Sequence, residues 1–238
     1  NYRYAPFVTD WASSPVVKVI APARIVEVGE YFAVDIAIEN VEGLNTYEFA
    51  LSWDPALLWL WSVKGGGFIS EENEEILSRI SGAGYVYVGD TLGYTTGFPS
   101  PTQSGSGILA KMTFKCLGKG ATILDLSSRL FDATPHVPLS MPHEDQDGAV
   151  SSLTDQELTQ KLVAAIGTWN LPTGTENSLT SKLEAALHLM EKGNEEGAIG
   201  KLKDFINQVE ALRDNKLTDG QADYLICLAQ KTIELIQG

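Results

Sequence analysis

The sequence predicts an all-β jelly-roll sandwich of about nine short strands, followed by a C-terminal all-α four-helix bundle. Two periodicities carry this reading. Apolar residues alternate with polar ones through residues 16–150, and recur every 3.6 positions beyond that. A third observation is bulk composition: 238 residues with 44% hydrophobic and 20% charged side chains suffice for one large or two small cores and are too apolar for a disordered chain. The expected organisation is an extended N-terminal segment (1–15), a sandwich (16–152) and a helical domain (153–238).

The strands follow in order. Val16–Ile20 and Ile25–Val28 are short apolar runs. In Tyr31–Glu39, Phe32, Val34, Ile36 and Ile38 fall on one side, with Asp35 and Glu39 on the other. The odd positions of Tyr47–Trp53 are large and apolar. Leu57–Val63 and Tyr85–Gly89 follow. In Ile108–Cys116 the even positions are apolar, while Lys111, Thr113 and Lys115 face out. Thr122–Leu126 and Gly148–Ser151 complete the set. Such alternation marks antiparallel sheets with one wet face. Turn residues punctuate the runs at Val28–Glu30, Glu42-Gly43, Asp54-Pro55, Gly65–Gly67 and Gly118–Gly120.

Helical signals begin at Thr154, where Thr154 and Glu157 have capping-box spacing and open a helix to about Thr168. Trp169–Gly174 reads as a turn. A second helix is expected at about 178–191, with Leu179, Leu183, Leu187 and Met190 in one stripe. Asn194 caps a third, with Ala198, Leu202, Phe205, Ile206, Val209 and Leu212 inward. Thr218 and Gln221 start the last, with Ala222, Leu225, Ile226, Ala229, Ile233 and Ile236 inward.

Charge excludes whole classes of partner. Residues 1–150 carry 9 basic and 18 acidic side chains, and the remainder 8 and 13, so neither half offers the basic footprint that nucleic acid requires. An anionic membrane surface would repel both halves. No run of 18 apolar residues exists, so no membrane insertion is expected. The chain starts at Asn1 and reads as a processed product. No Asn-x-Ser/Thr sequon occurs. Cys116 and Cys227 sit in apolar periods and read as two buried thiols, with a single bridge as the alternative.

Catalytic signatures are absent. Ile80–Gly84 fails the spacing of a nucleophile elbow, Gly118–Thr122 fails as a phosphate loop, and Gly65–Gly67 fails as a dinucleotide turn. His136, His143 and His188 are dispersed, with no pair spaced for a metal. No cofactor is expected, calcium excepted. Aligned as an EF-hand, His143–Thr154 fails at both ends, leaving Glu144, Asp145 and Asp147 as either a simpler calcium loop or a solvated turn. Glu71–Glu75, with four carboxylates, reads as a solvated helix start or a cation site.

Aromatics are more suggestive. Trp59 and Trp61 share one strand face, and Tyr85 and Tyr87 share another. Leu58 and Leu60 make the first strand apolar on both sides, so it is either covered by another element or forms a sticky surface. A flat aromatic row could alternatively stack on polysaccharide rings. The N-terminal segment is also rich in large apolar groups: Tyr2, Tyr4, Phe7, Val8 and Trp11. Two readings stand: it packs on its own molecule, or it adds as a strand to a neighbouring copy. A head-to-tail contact of the second kind would propagate as a filament.

The run from Val26-Glu-Val-Gly29 through Phe32-x-Val-x-Ile36, Leu51-x-Trp-Asp-Pro55, Gly67-Phe68, Gly107–Phe114 and Asp147–Val150 resembles a cohesin-type domain over residues 15–152. Residues 154–238 resemble the FIMAH helical module of secreted archaeal and bacterial surface proteins, through Thr168–Pro172, Gly174–Lys182, Phe205–Val209 and Lys216–Thr218. The resemblance implies a nine-stranded jelly roll working by protein–protein recognition, secreted or at the cell surface. Its expected partners are copies of itself, another surface protein or a calcium-dependent dockerin. No dockerin repeat occurs in the chain itself, and no partner-contact residue is carried over from the family.

Overall fold

The computed structural model describes residues 14–74, 76, 78–93, 101–134 and 139–238. Ten strands and four helices occur among them: β1 Val16–Ile20, β2 Tyr31–Ser52, β3 Leu58–Gly65, β4 Ser78–Gly82, β5 Tyr85–Thr91, β6 Gln103–Cys116, β7 Ala121–Asp132, β8 Ser140–Met141, β9 Glu144–Gln146, β10 Gly148–Ser151, α1 Asp155–Thr168, α2 Thr173–Glu191, α3 Glu195–Leu212 and α4 Asp219–Gln237.

The organising element is β2. Sequence punctuation at Glu42-Gly43 suggests two strands, but the chain continues through as one of 22 residues. Asn40 and Gly43 take left-handed φ values of 57° and 72°, and the pairing register shifts on either side of Val41. These kinks let one strand serve both layers. Its first half lies between β1 and β6, with β3 beyond β6 and β9 beyond β1. Its second half lies between β5 and β7, with β4 beyond β5 and β8 and β10 along β7.

The alternation read from the sequence is what fills the space between the layers. Phe32, Val34, Ile36, Tyr47, Phe49, Leu51, Met112 and Phe114 are all buried in one cluster. A bulge in β6 opposite Ile36 and Ala37 turns both Leu109 and Ala110 inward. Tyr47 is fully buried and its hydroxyl donates to the Leu109 carbonyl at 3.0 Å, so the core holds a polar atom without leaving it unpaired.

Three expectations are corrected. Ile25–Val28 is not a strand: Val26 plugs the core and donates to the Ser151 carbonyl, and the chain then turns at Glu27–Glu30. Glu71–Glu74 is a turn and not a helix start, because the Glu74 carbonyl and Asn73 N–H close on Gly65. The helix expected at about 178 begins at Thr173, directly after Pro172.

The four helices form a second core. Each packs on its sequence neighbours and α1 closes onto α4. Both capping boxes, Thr154 with Glu157 and Thr218 with Gln221, are made, and the Asn194 side chain accepts from Gly197 N–H. This second cluster extends into the sandwich through Ala121, Ile123 and Ala149. In α4, Cys227, Leu228, Lys231 and Thr232 are buried together with Ala222, Leu225 and Ala229 of the predicted stripe, whose Ile226, Ile233 and Ile236 are half-buried. Lys231 Nζ donates to the Pro22 carbonyl, Lys161 Nζ donates to the Ala121 carbonyl at 2.8 Å, and Lys119 pairs with Glu157 at 2.6 Å.

Candidate functional site

The four candidate surface aromatics separate into two patches. Trp59 and Trp61 lie on the outer side of β3 and are 48% and 57% exposed. Strand alternation puts Trp59 and Trp61 on the same outer face, and a register shift between Leu60 and Ser62 returns Val63 to the core alongside Leu58. Tyr31 joins them from β2 across Lys115, whose ammonium sits 5.2 Å from the Tyr31 ring centre. The rings meet edge to face, at 82° for Trp59 and Trp61 and 80° for Tyr31 and Trp61. That is a knobbed surface and not the flat row that sugar stacking would use.

Tyr85 and Tyr87 lie on β5 in the other half of the sheet. The Tyr85 ring crosses Gly82, where a Cβ would sit 2.3 Å from it. The Tyr87 hydroxyl donates to Glu48 at 2.7 Å, and Arg129 lies 3.7 Å from the same carboxylate. The structure therefore does not bring the four predicted aromatics together.

The acidic run Glu144, Asp145 and Asp147 has a structural role. β8 pairs with β7 at Leu130 and Phe131, and β10 pairs with it at Ala121–Leu124. Between them the chain leaves to pair with β1 as β9, which exposes the edge of β7. Carboxylates fill the gap: Leu126 N–H donates to Asp147 Oδ1 and Ser128 N–H to Asp145 Oδ2, both at 2.8 Å. Glu144 is exposed and does not join them. Among the described residues no three His, Cys, Asp or Glu side chains are grouped to hold a metal. Burial pushes the Asp147 carboxyl up to about 6, with the Leu126 N–H pulling the other way and Asp125, Asp223 and Asp145 adding to the rise.

Beside this edge lies a grouping that the sequence does not reveal. Ser128 Oγ is 2.9 Å from His143 Nε2, and His143 Nδ1 is 2.9 Å from the Met141 carbonyl. A serine and histidine at this distance have the spacing of a nucleophile and its base. However, Ser128 Oγ also lies 2.5 Å from Asp145 Oδ1, and a carboxylate there opposes an oxyanion forming on the same centre. The trio fastens the β9 segment to β7.

A cleft of about 480 Å³ opens between sandwich and helices, lined by Asp125, Asp145 and Asp147 on one wall and Glu210, Arg213 and Asp223 on the other. Arg213 is bound by Glu210 at 2.8 Å and by Asp223 at 2.7 Å. Cys227 lines the same cleft with its thiol pushed up to about 12 by burial, and Cys116 is also buried and unbridged. Neither thiol is a ready nucleophile. Tyr2, Tyr4, Phe7, Val8 and Trp11 lie outside the described residues.

A two-layer β domain built around a kinked shared strand, with recognition-type surfaces, defines a class, and sequence comparison names it. The chain belongs to the cohesin family: the Cohesin domain model matches residues 17–140, just over half its length. The FIMAH domain model matches residues 156–234. Over 160 residues the chain is 27% identical to Cellulose-binding protein A of Clostridium cellulovorans, which covers 66% of this chain. It spans only 8% of that relative's length. Among solved structures it is similar to a non-cellulosomal cohesin from the hyperthermophilic archaeon Archaeoglobus fulgidus, at 16% identity, 63% of this chain, 98% of that one and a TM-score of 0.48. It is also similar to the seventh ScaB type I cohesin from Pseudobacteroides cellulosolvens, at 23% identity, 58% and 91% coverage and a TM-score of 0.47. A third is the Coh-OlpA-Doc918 type I cohesin–dockerin complex from Clostridium thermocellum, at 15% identity, 58% and 99% coverage and a TM-score of 0.48.

Proposed function

We propose that this chain is a non-catalytic, secreted or surface-exposed recognition module that assembles with other proteins. The observation that carries the reading is the cohesin match across the sandwich, since cohesin domains are protein-interaction modules. It is supported by half-exposed apolar side chains on both outer faces: Trp59, Trp61 and Tyr31 on one, Ile80 and Tyr85 on the other. Such patches, rimmed by charge, suit a protein partner. A calcium-loaded dockerin is the partner class that the family suggests. Biolayer interferometry against a panel of dockerins, with and without calcium, tests it. Calcium-dependent binding is expected, and absence of binding to every dockerin would remove that partner class.

A finer form of the same reading is self-assembly. Phe7-Val-Thr-Asp-Trp11 is a strand-forming run that follows Pro6, with Phe7, Thr9 and Trp11 on one side. Added to a neighbour's sheet edge, it would join copies head to tail. Sedimentation velocity across a concentration series tests it. Growth of the sedimenting species with concentration is the expected result, and a constant monomer would refute it.

A further inference from the structure

We infer that the acceptor for this run is the flank of the sandwich formed by the outer edge of β3 and the mixed polar and apolar groove beside it, occupied by residues 7–11 of a neighbouring copy. This rests on the self-assembly reading above and names its binding site.

The two flanks differ. On one, β9 covers β1, and β8, β10 and the carboxylates of Asp145 and Asp147 cover β7. On the opposite flank, among the described residues, β3 pairs only with β6 and β4 only with β5. The Gly65 end of β3 is closed by Asn73 and Glu74, through hydrogen bonds of 2.9 and 2.8 Å. Within Leu58–Trp61 the main-chain groups of Leu58 are taken by the Asp54 carbonyl at 3.1 Å and by Trp53 Nε1 at 2.9 Å, whereas Leu60, which also faces the outer edge, has no such partner among the described residues, and an uncovered edge is a template for another strand.

Beside that stretch lies a groove of about 400 Å³, lined by Trp53, Leu58, Trp59, Leu60, Gly82 and Leu117. Trp59 and Leu117 are 48% and 46% exposed there. An extended partner would bond its main chain to the β3 edge and direct alternate side chains into the groove. Phe7 and Trp11 supply large rings on one side of such a strand, and Thr9 between them is small.

Chain length favours another molecule as the occupant. Pro15 precedes β1, and a strand beside β3 would lie past β2, β6 and β3. That is four strand spacings, about 19 Å. Four residues from Pro15 back to Trp11 span at most about 14 Å. Eight residues back to Phe7 span about 28 Å, so one molecule has the length to bring Phe7 to its own groove but not Trp11 as well, whereas a neighbour's run can lie along it in full.

Full-length protein carrying p-benzoylphenylalanine in place of Phe7 tests this, irradiated as a mixture of ¹⁴N- and ¹⁵N-labelled copies. Mass spectrometry should find cross-links between copies, joining position 7 to peptides holding Trp59, Gly82 or Leu117. In parallel, Trp59→Lys should weaken self-association at least tenfold with an unchanged circular dichroism spectrum. Ile80→Lys on β4 should change it less than twofold. Association that persists in Trp59→Lys, with cross-links mapping elsewhere between copies, would overturn the acceptor and leave self-assembly standing. Cross-links confined to one copy, or no association, would overturn both.

Discussion

Lys231 is nearly fully buried in α4, with its ammonium bonded to the Pro22 carbonyl and 3.1 Å from Glu234. Burial pulls its pKa down, opposed by Glu234. Lys231→Ala would lose packing and leave the Pro22 carbonyl without its donor, and should cost about 2 kcal/mol in urea unfolding. Asp147 gives a pH signature. Its carboxyl rises to about 6 in the folded chain against about 3.9 in an unfolded one. Between those values the folded state binds a proton that the unfolded state releases, so this group's contribution to stability falls as pH rises through the window. Asp147→Asn keeps an acceptor for Leu126 N–H. Its melting temperature should exceed that of the parent at pH 7, and the difference should vanish near pH 4. Neither residue's role is legible in the sequence. A lysine in an amphipathic helix defaults to solvent, and its partner lies 209 positions away. Asp145 and Asp147 read as cation candidates because the same oxygens that ligate a metal also accept main-chain N–H groups.

At the scale of elements, legibility follows period and length. β1 and β10 match the predicted runs residue for residue, and both capping boxes mark their helix starts. β8 and β9 have two and three residues, too few to show an alternation. The join within β2 reads as a turn because Gly43 does adopt a turn-like φ, yet hydrogen bonding to the neighbouring strands continues across it. Gly43→Ala meets no atom within 4 Å, so its cost is conformational alone, about 1 kcal/mol by chemical denaturation. Thr218→Ala should cost a similar amount, about 1 kcal/mol, by freeing the Gln221 N–H from its cap.

For the whole molecule, the sequence separates a β part from an α part but does not indicate that the two share a boundary. Ala121, Ile123 and Ala149 lie on strands yet belong to the helical core, and α4 is apolar on more than its stripe. Sandwich and helices should consequently melt together. Tryptophan fluorescence of a Trp169→Phe variant, which keeps Trp53, Trp59 and Trp61 in the sandwich, and ellipticity at 222 nm should give coincident transitions. Two separated transitions would show that the contacts at Pro22, Ala121 and Lys119 are too weak to couple them. The carboxylates that close the β7 edge bear on larger order too. They sit on the side of the domain where the chain enters β1, so that margin is covered, while among the described residues β3 and β4 end the sheet uncovered on the opposite one. A body with one saturated and one receptive border has a built-in direction: any series of copies joined through that border has two chemically unlike ends and can lengthen without two identical faces ever meeting.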